Sequence, residues 1–322
     1  MGLGVIIKNR IFDPLNTMFT EIGHGQIKLG ITRFFASVFR GSKFGISFNQ
    51  KIHSIIIAQL ENEFSYVIDK FKNYSYECKY DKNAPVWVCW LQGYDNAPEI
   101  VKKCIFSIKK STNRSVVLLD FSNIEKYYQL PDYIIEKHNK GYISNTEFAD
   151  ILRMSLLAEY GGMWIDATIL IPALLPESIF KKEFYTCKRE LGIGNYVSEY
   201  KWTTFLLGCQ KGCVLPLAVK ELFFEYWKKN DYLVDYLLLD YFIRIAYENI
   251  PNAKKLIDDL PYNNPQIEEL QSRMSLPYDE IEYKHLINDS DTDFFKLSWR
   301  MNFDKETLDN KMTYYGWFLE NN

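Results

Sequence analysis

The pattern of apolar and polar positions changes character at a polar stretch, residues 80–85. Before it, apolar residues such as Ile31 and Phe34 recur at helical spacing. After it, residues 86–91 form a continuous apolar run with the length of a buried strand, and residues 115–120 are predicted to form a second buried strand. Segments with helical periodicity follow both runs. This β-α-β-α alternation predicts a doubly wound α/β sheet.

A central stretch, residues 144–172, is predicted to form a helix, a Gly-Gly break and a buried strand. Ser144 and Glu147 have the spacing of a capping box, so the helix is expected to start there. Gly161 and Gly162 should end it, and glycines allow a backbone to approach a ligand closely. The strand that follows delivers one carboxylate, Asp166.

Polar side chains follow the ends of three predicted strands: Gln92, Asp120 and Asp166. Ligands of open α/β sheets bind beyond the carboxyl ends of the strands. The sequence therefore predicts a nucleotide site at this edge. Asp150 and Arg153 lie on a helix face with apolar neighbours, and they could form an i,i+3 salt bridge or serve a ligand.

Composition narrows the function classes. The net charge of −3 gives no support for nucleic acid as the partner, because such binding needs a basic patch or stripe. The aromatic content of 16% fits a carbohydrate-handling protein, although a biased codon composition explains most of it. The six cysteines show no metal-ligand spacing, which favours free thiols in a reducing cytoplasm.

The sequence argues against two common catalytic classes. The four histidines lack a Ser or Cys partner pattern, which argues against a hydrolase triad. A Walker-type loop is absent, which argues against a P-loop kinase. Neither a spanning apolar run nor a signal-peptide pattern occurs, so we expect a cytoplasmic location.

Residues 1–51 are rich in basic side chains, and apolar residues recur near them. The basic residues are Lys8, Arg10, Lys28, Arg33, Arg40, Lys43 and Lys51, against the acidic Asp13 and Glu21. One interpretation is an interfacial helix on anionic lipid, peripheral on the inner face of the plasma membrane. The other is a helix that packs on the catalytic domain.

Several spaced motifs carry a family resemblance. They are residues 86–93, Asp150-x-x-Arg153, Tyr160-Gly161-Gly162, Trp164-Ile165-Asp166-Ala167-Thr168, residues 200–208 and Lys296-Leu297-Ser298-Trp299-Arg300. Together they resemble the bacterial capsular polysaccharide synthesis glycosyltransferases, which belong with glycosyltransferase family 32 and, more distantly, the glucosylating clostridial toxins.

The resemblance implies a type A glycosyltransferase fold, Rossmann-like, with a helical N-terminal extension at 1–82 and a catalytic domain at 83–322. Within that domain, 83–180 would be the nucleotide-sugar half and 181–322 the acceptor half. The implied activity is a hexosyl transfer, with retention, from a UDP-sugar to a glycan or lipid-linked oligosaccharide of the capsule or cell surface.

The same resemblance assigns roles to residues of this sequence. The expected catalytic residues are Asp166, Asp150, Arg153 and Asp240. The expected donor-binding residues are Trp90, Gln92, Asp150, Arg153, Gly161, Gly162, Asp166, Lys296, Ser298, Trp299 and Arg300. The expected acceptor residues are Trp202, Thr203 and Thr204. Trp90 would stack on the uracil ring, although a core aromatic is an equally good interpretation.

The family's DxD motif binds Mg²⁺ or Mn²⁺ through two carboxylates, and this chain departs from it. Asp166-Ala167-Thr168 offers one carboxylate and one hydroxyl as metal ligands. We therefore expect a divalent metal that binds weakly without nucleotide and takes most of its oxygens from the donor. A second acid could come from Asp240, which has an i,i+4 neighbour in Arg244, or from Asp289, Asp291 or Asp293. The alternative function is a nucleotide-sugar-binding protein that has lost catalysis.

Overall fold

Four helices precede the sheet in the part of the chain that the structure describes. In the computed structural model, which describes residues 13–75, 77–190 and 196–321, they are α1 (Asp13–Gly23), α2 (Ile27–Val38), α3 (Lys43–Glu63) and α4 (Ser65–Lys72). The Ser42 hydroxyl caps α3 by accepting a hydrogen bond from the Gly45 backbone N–H. The basic residues Lys8 and Arg10 lie outside the described residues.

The main sheet has five short strands. They are β1 (Val86–Cys89), β2 (Val116–Leu119), β3 (Gly162–Ile165), β5 (Phe184–Thr186) and β6 (Leu206–Cys209), in the order β2-β1-β3-β6-β5. β1 runs parallel to both β2 and β3, whereas β6 runs antiparallel to β3 and to β5. A separate antiparallel pair joins β4 (Ile169–Leu170) to β7 (Phe295–Lys296).

Helices cover the sheet and extend the fold. They are α5 (Glu99–Lys110), α6 (Asp132–Asn139), α7 (Asn145–Tyr160), α8 (Glu177–Phe180), α9 (Val214–Lys229), α10 (Leu238–Asn249), α11 (Pro251–Asp258), α12 (Glu269–Arg273), α13 (Glu280–Asp289) and α14 (Tyr314–Asn321). The central helix α7 starts as predicted, because the Ser144 hydroxyl accepts a hydrogen bond from the Glu147 N–H at 3.2 Å.

The apolar stretch of residues 232–249 predicts one long helix, but the helix that forms there, α10, is shorter. It begins at Leu238 because Asp235 forms a turn instead, its Oδ1 accepting a hydrogen bond from the Leu237 N–H at 2.9 Å. Val234 donates its N–H to the Tyr226 hydroxyl at 2.9 Å and so is held outside the helix.

The two glycines after α7 pack against protein backbone. Gly161 and Gly162 have φ angles of +68° and +91°, which side-chain-bearing residues rarely adopt. A Cβ on Gly162 would lie 2.2 Å from the Pro85 carbonyl oxygen, and one on Gly161 would lie 2.5 Å from the Lys211 nitrogen. Their need for glycine is therefore explained by close packing at the start of β3.

The N-terminal helices share a core with the rest of the chain. Leu29, Ile56 and Leu60 are buried in the same hydrophobic cluster as Trp87 of β1 and Leu152 of α7. The boundary near residue 82 therefore stays a prediction. No helix in the described parts of the chain is long and apolar enough to cross a membrane.

The predicted α/β class is confirmed, and the architecture is consistent with the type A glycosyltransferase fold. The strands β2, β1 and β3 form the parallel part of the sheet. The strands β6 and β5 are antiparallel to their neighbours, which the predicted doubly wound sheet did not include. The parallel strands carry the polar residues that the sequence placed at their ends.

Candidate active site

The carboxyl ends of the three parallel strands carry the predicted polar residues. Asp166 directly follows β3 and Asp120 directly follows β2. Trp87 of β1 is paired in register with Trp164 of β3, so Trp90 falls beside the segment that begins with Asp166. The sheet therefore brings these residues to one edge, as the sequence predicted.

Asp166 is held by three donors. Its Oδ1 accepts hydrogen bonds from the Trp164 indole N–H at 3.0 Å and from Arg153 Nη2 at 3.2 Å. Its Oδ2 lies 3.6 Å from Lys296 Nζ. The side chain is 29% exposed, so it can also contact a ligand. Trp164 was not predicted as a site residue, although its place two residues before Asp166 puts both side chains on one strand face.

Arg153 joins α7 to the strand end. Its guanidinium is only 7% exposed, donates to Asp150 Oδ1 at 2.7 Å and lies over the Trp164 ring at 4.8 Å. The i,i+3 salt bridge therefore exists, and the same side chain reaches Asp166. Burial raises the pKa of Asp150 to about 6, although the charge of Arg153 opposes this shift.

Glu147 is a buried acid for which the sequence predicted only a role as a capping partner. Its side chain is almost fully buried, and its Oε1 has no hydrogen-bond partner among the described residues. Burial and the nearby Asp150 charge raise the pKa of Glu147 well above its usual range. Its placement on the first turn of α7, one turn before Asp150, was the available signal.

Asp240 lies close enough to Asp150 and Arg153 for their charges to affect its pKa. Burial raises the pKa of Asp240 to about 7, and the hydrogen bond from the Trp202 indole at 2.9 Å opposes the shift. The suggested pair with Arg244 is wrong, because Arg244 binds Glu248 and Glu199 instead.

The predicted acceptor residues have structural contacts. Trp202 is only 1% exposed, so its ring cannot form an open sugar platform, and it instead holds Asp240. Thr203 exchanges hydrogen bonds with Thr186 of β5, both at 3.0 Å. Thr204 is half-buried. The role of these residues toward an acceptor stays a prediction.

Two tryptophans and an arginine form one wall of the site. The rings of Trp90 and Trp299 meet edge to face at 5.6 Å, and the Arg300 guanidinium lies 5.4 Å from the Trp299 ring. The Trp90 indole nitrogen is buried without a hydrogen-bond partner among the described residues. Arg300 forms no ion pair in the described ranges, so its charge is available.

The other predicted donor-binding residues form their contacts with the protein itself. Gln92 is exposed, and its backbone oxygen accepts from Asn96 at 2.8 Å. The Ser298 N–H donates to Gln271 at 2.7 Å, and its hydroxyl accepts from the Arg300 N–H at 3.3 Å. Gly161 and Gly162 lie at the opposite end of β3 from Asp166, and their close packing gives no support for a ligand contact.

The residues present do not fit a divalent metal well. Lys296 Nζ donates a hydrogen bond to Thr168 Oγ1 and faces Asp166 Oδ2, so an ammonium contacts both predicted metal ligands. No group of three His, Cys, Asp or Glu side chains suited to a metal occurs in the described part of the chain. Metal binding therefore stays a prediction.

The alternative acids form other contacts. The Asp293 N–H donates to the Asn264 side chain at 2.8 Å, and burial together with Asp291 raises the pKa of Asp293. Asp289 ends α13, and Asp291 is exposed with a φ angle of +55°. The contacts described for these three acids do not reach Asp166.

Comparison with known proteins identifies the family. The profile of the capsular polysaccharide synthesis protein family matches residues 39–316 of the 322-residue chain. The chain belongs to the capsular polysaccharide synthesis protein family. This membership supports the glycosyltransferase role that the motifs imply, and the matched range contains the whole predicted site.

Similarity beyond the family is low. A solved structure that matches is the PaToxG glycosyltransferase, with 17% identity and a TM-score of 0.37, over 68% of this chain and 90% of that chain. No curated protein sequence matches the chain.

Proposed function

We propose that this protein transfers a hexosyl group from a UDP-sugar to a growing capsular or cell-surface glycan, with retention at the sugar carbon. The observation that carries the proposal is the setting of Asp166. It is a half-exposed carboxylate at a strand end, held by Arg153, Trp164 and Lys296, in a chain of the capsular polysaccharide synthesis family.

The donor would lie across the carboxyl edge of β1 and β3. Trp90 and Trp299 offer aromatic surface to the base. Lys296 and Arg300 supply positive charge for the diphosphate, and Arg153 with Asp150 would hold the sugar and its bridge to phosphate. Donors and charges aimed at the leaving group are the largest contribution to such chemistry.

In the reaction, the bond from the sugar C1 to the diphosphate oxygen breaks and its electron pair stays on the diphosphate. The acceptor hydroxyl oxygen forms a bond to C1, and its proton passes to the leaving diphosphate oxygen. Asp240, with a pKa raised to about 7, is one nearby carboxyl that can hold a proton near neutral pH. Retention implies an α-linked product from an α-linked donor, and NMR of the product's anomeric proton tests it.

A panel of nucleotide sugars, measured by thermal shift and by turnover with and without Mn²⁺, tests the proposal. UDP-sugars should raise the melting temperature, because ligands that bind only the native state stabilise it. Equal shifts with GDP-sugars, or none with either, would contradict the UDP assignment. Binding without transfer or donor hydrolysis in any condition would favour the alternative of a non-catalytic nucleotide-sugar-binding protein.

The same proposal includes peripheral contact with an anionic membrane surface through the N-terminal helices. Exposed apolar side chains lie on α2, α3 and the turn between them, including Ile31, Phe35, Phe39 and Phe44. Exposed basic residues accompany them, at Lys28, Arg40, Lys43 and Lys51. Apolar and basic side chains on one surface are typical of interfacial binding. Arg33 is excluded from this role because it forms ion pairs within the protein.

A further inference from the structure

The Lys296 ammonium lies where the sequence predicts a metal. It donates a hydrogen bond to Thr168 Oγ1 and lies 3.6 Å from Asp166 Oδ2, so it contacts the first and third residues of the Asp-Ala-Thr motif. A DxD motif would offer two carboxylates at these places. Here the third residue is a hydroxyl, and the cation beside it belongs to the protein.

The backbone fixes this lysine in place. β7 pairs with β4, with Lys296 opposite Ile169, and the Leu297 N–H donates to the Thr168 carbonyl at 2.9 Å. The Lys296 N–H donates to the Ile267 carbonyl at 2.7 Å, and its ammonium lies 5.4 Å from the Phe205 ring. The side chain is 29% exposed, so a ligand can still reach the charge.

The charges of the site are already matched without a metal. Asp166 faces two cations, Arg153 and Lys296, and its Oδ1 is further occupied by the Trp164 indole. A divalent ion on Asp166 Oδ2 and Thr168 Oγ1 would stand directly against the ammonium and be repelled by it. Mg²⁺ and Mn²⁺ also prefer several oxygen ligands, which this edge does not supply.

We propose that the Lys296 ammonium takes the place of the divalent cation and binds the donor diphosphate, so that sugar transfer proceeds without a metal. This inference rests on the proposed function. As the C1–oxygen bond breaks, the charge that develops on the diphosphate is countered by Lys296. The lysine keeps its protons throughout, and the acceptor proton goes to the leaving diphosphate as described above.

The first test compares UDP affinity and transfer of the wild-type protein in EDTA and in Mn²⁺. Calorimetry should give UDP dissociation constants within about twofold of each other, because a cation of the protein already neutralises the diphosphate. Turnover should be equally insensitive to the chelator. Loss of UDP binding and transfer in EDTA, with recovery in Mn²⁺, overturns the inference but leaves the proposed function intact.

The second test removes the lysine. Lys296→Met keeps an unbranched side chain against Phe205 but removes the charge, and we expect about a hundredfold loss of transfer in both EDTA and Mn²⁺. Lys284→Met is the matched control, because Lys284 is exposed on α13 and forms an ion pair with Glu280 alone among the described residues. Circular dichroism checks the fold of both. Full activity of folded Lys296→Met overturns the inference.

The third test builds the missing metal motif. The double variant Thr168→Asp with Lys296→Met gives the edge a second carboxylate and removes the competing ammonium. Calorimetric titration with Mn²⁺ in the presence of UDP, after subtraction of the heat of Mn²⁺ binding to free UDP, should show binding to this variant and none to wild type. Tight Mn²⁺ binding by wild type with UDP contradicts the inference. If no form binds UDP in either condition, the proposed function itself fails, and this inference with it.

Discussion

Two arginine clusters in this protein have the same residue types but different roles. In the anchor cluster, Arg33 of α2 binds Glu21 of α1, Asp235 Oδ2 at 2.6 Å and the Val234 carbonyl at 2.7 Å. It ties the N-terminal helices to the segment before α10. In the site cluster, Arg153 binds Asp150 and Asp166, and Lys296 completes the set.

The two clusters differ in charge and in which member reaches solvent. The anchor cluster has one cation for two carboxylates, and its acids are 11% and 19% exposed. The site cluster has two cations for two carboxylates. Its arginine is only 7% exposed, whereas Asp166 and Lys296 are each 29% exposed. An arginine between two carboxylates therefore does not by itself indicate an active site. The site cluster differs from the anchor cluster in having an accessible acid and a second cation.

The largest effect should separate the clusters by activity. Asp166→Asn should reduce transfer by about 10²–10³-fold, because it removes the negative charge that holds Arg153 and Lys296. The variant keeps a side-chain oxygen that can accept the Trp164 indole N–H. Asp235→Asn is the matched change in the anchor cluster, and its folded fraction should retain turnover. Initial rates normalised to folded protein, measured by near-UV circular dichroism, make the comparison. An inactive Asp235→Asn and an active Asp166→Asn would reverse our assignment of the two clusters.

A smaller effect should come from replacing each arginine by lysine. Arg153→Lys cannot bridge Asp150 and Asp166 as the planar guanidinium does, and we expect transfer to fall by about tenfold or more. Arg33→Lys should leave the donor KM and kcat unchanged and lower the free energy of unfolding by about 1–2 kcal/mol. Urea unfolding and steady-state kinetics on both variants check this. Unchanged kinetics in Arg153→Lys would remove this residue from the site.

Asp240 allows a test by pH. Its folded pKa of about 7 exceeds the usual value, so between about pH 4 and 7 the folded state binds more protons than the unfolded state. The stabilisation from the protonated Asp240 is therefore present at low pH and is lost as pH rises through 7. Asp240→Asn keeps an oxygen that can accept the Trp202 indole N–H, and its stability should depend less on pH. At pH 8 its free energy of unfolding should exceed that of wild type by about 1–2 kcal/mol.

Urea unfolding at pH 5 and pH 8 measures this difference. The conservative Asp259→Asn, a change on the exposed residue after α11, controls for the loss of one acid. Parallel pH curves for wild type and Asp240→Asn would mean that Asp240 is ionised in the folded protein at all these pH values.

The smallest effect on transfer should come from the N-terminal surface. The double change Phe39→Ser and Phe44→Ser removes two exposed rings and should weaken sedimentation with phosphatidylserine vesicles, leaving transfer to a soluble acceptor unchanged. Ile281→Ser, a change of an exposed apolar residue on α13, is the control. Equal vesicle binding by all three proteins would show that these helices do not contact the membrane.

The sequence alone determined the local features of this protein. The run at 86–91 predicted β1, the Ser144 cap predicted the start of α7, and the strand end predicted the position of Asp166. These features depend on short-range periodicity and on side-chain to backbone bonds between near neighbours, which one sequence contains. The family motifs also lay close together in the chain, so the resemblance identified them.

Only the tertiary structure decided what these residues touch. The Asp166–Lys296 contact joins residues far apart in the chain and depends on the pairing of β4 with β7. The fold holds the Trp202 indole against Asp240 and packs the Lys211 backbone close to Gly161, and neither contact was predicted from the sequence. Such contacts are set by strand register and by burial between distant segments, and periodicity within a single segment carries no information about either.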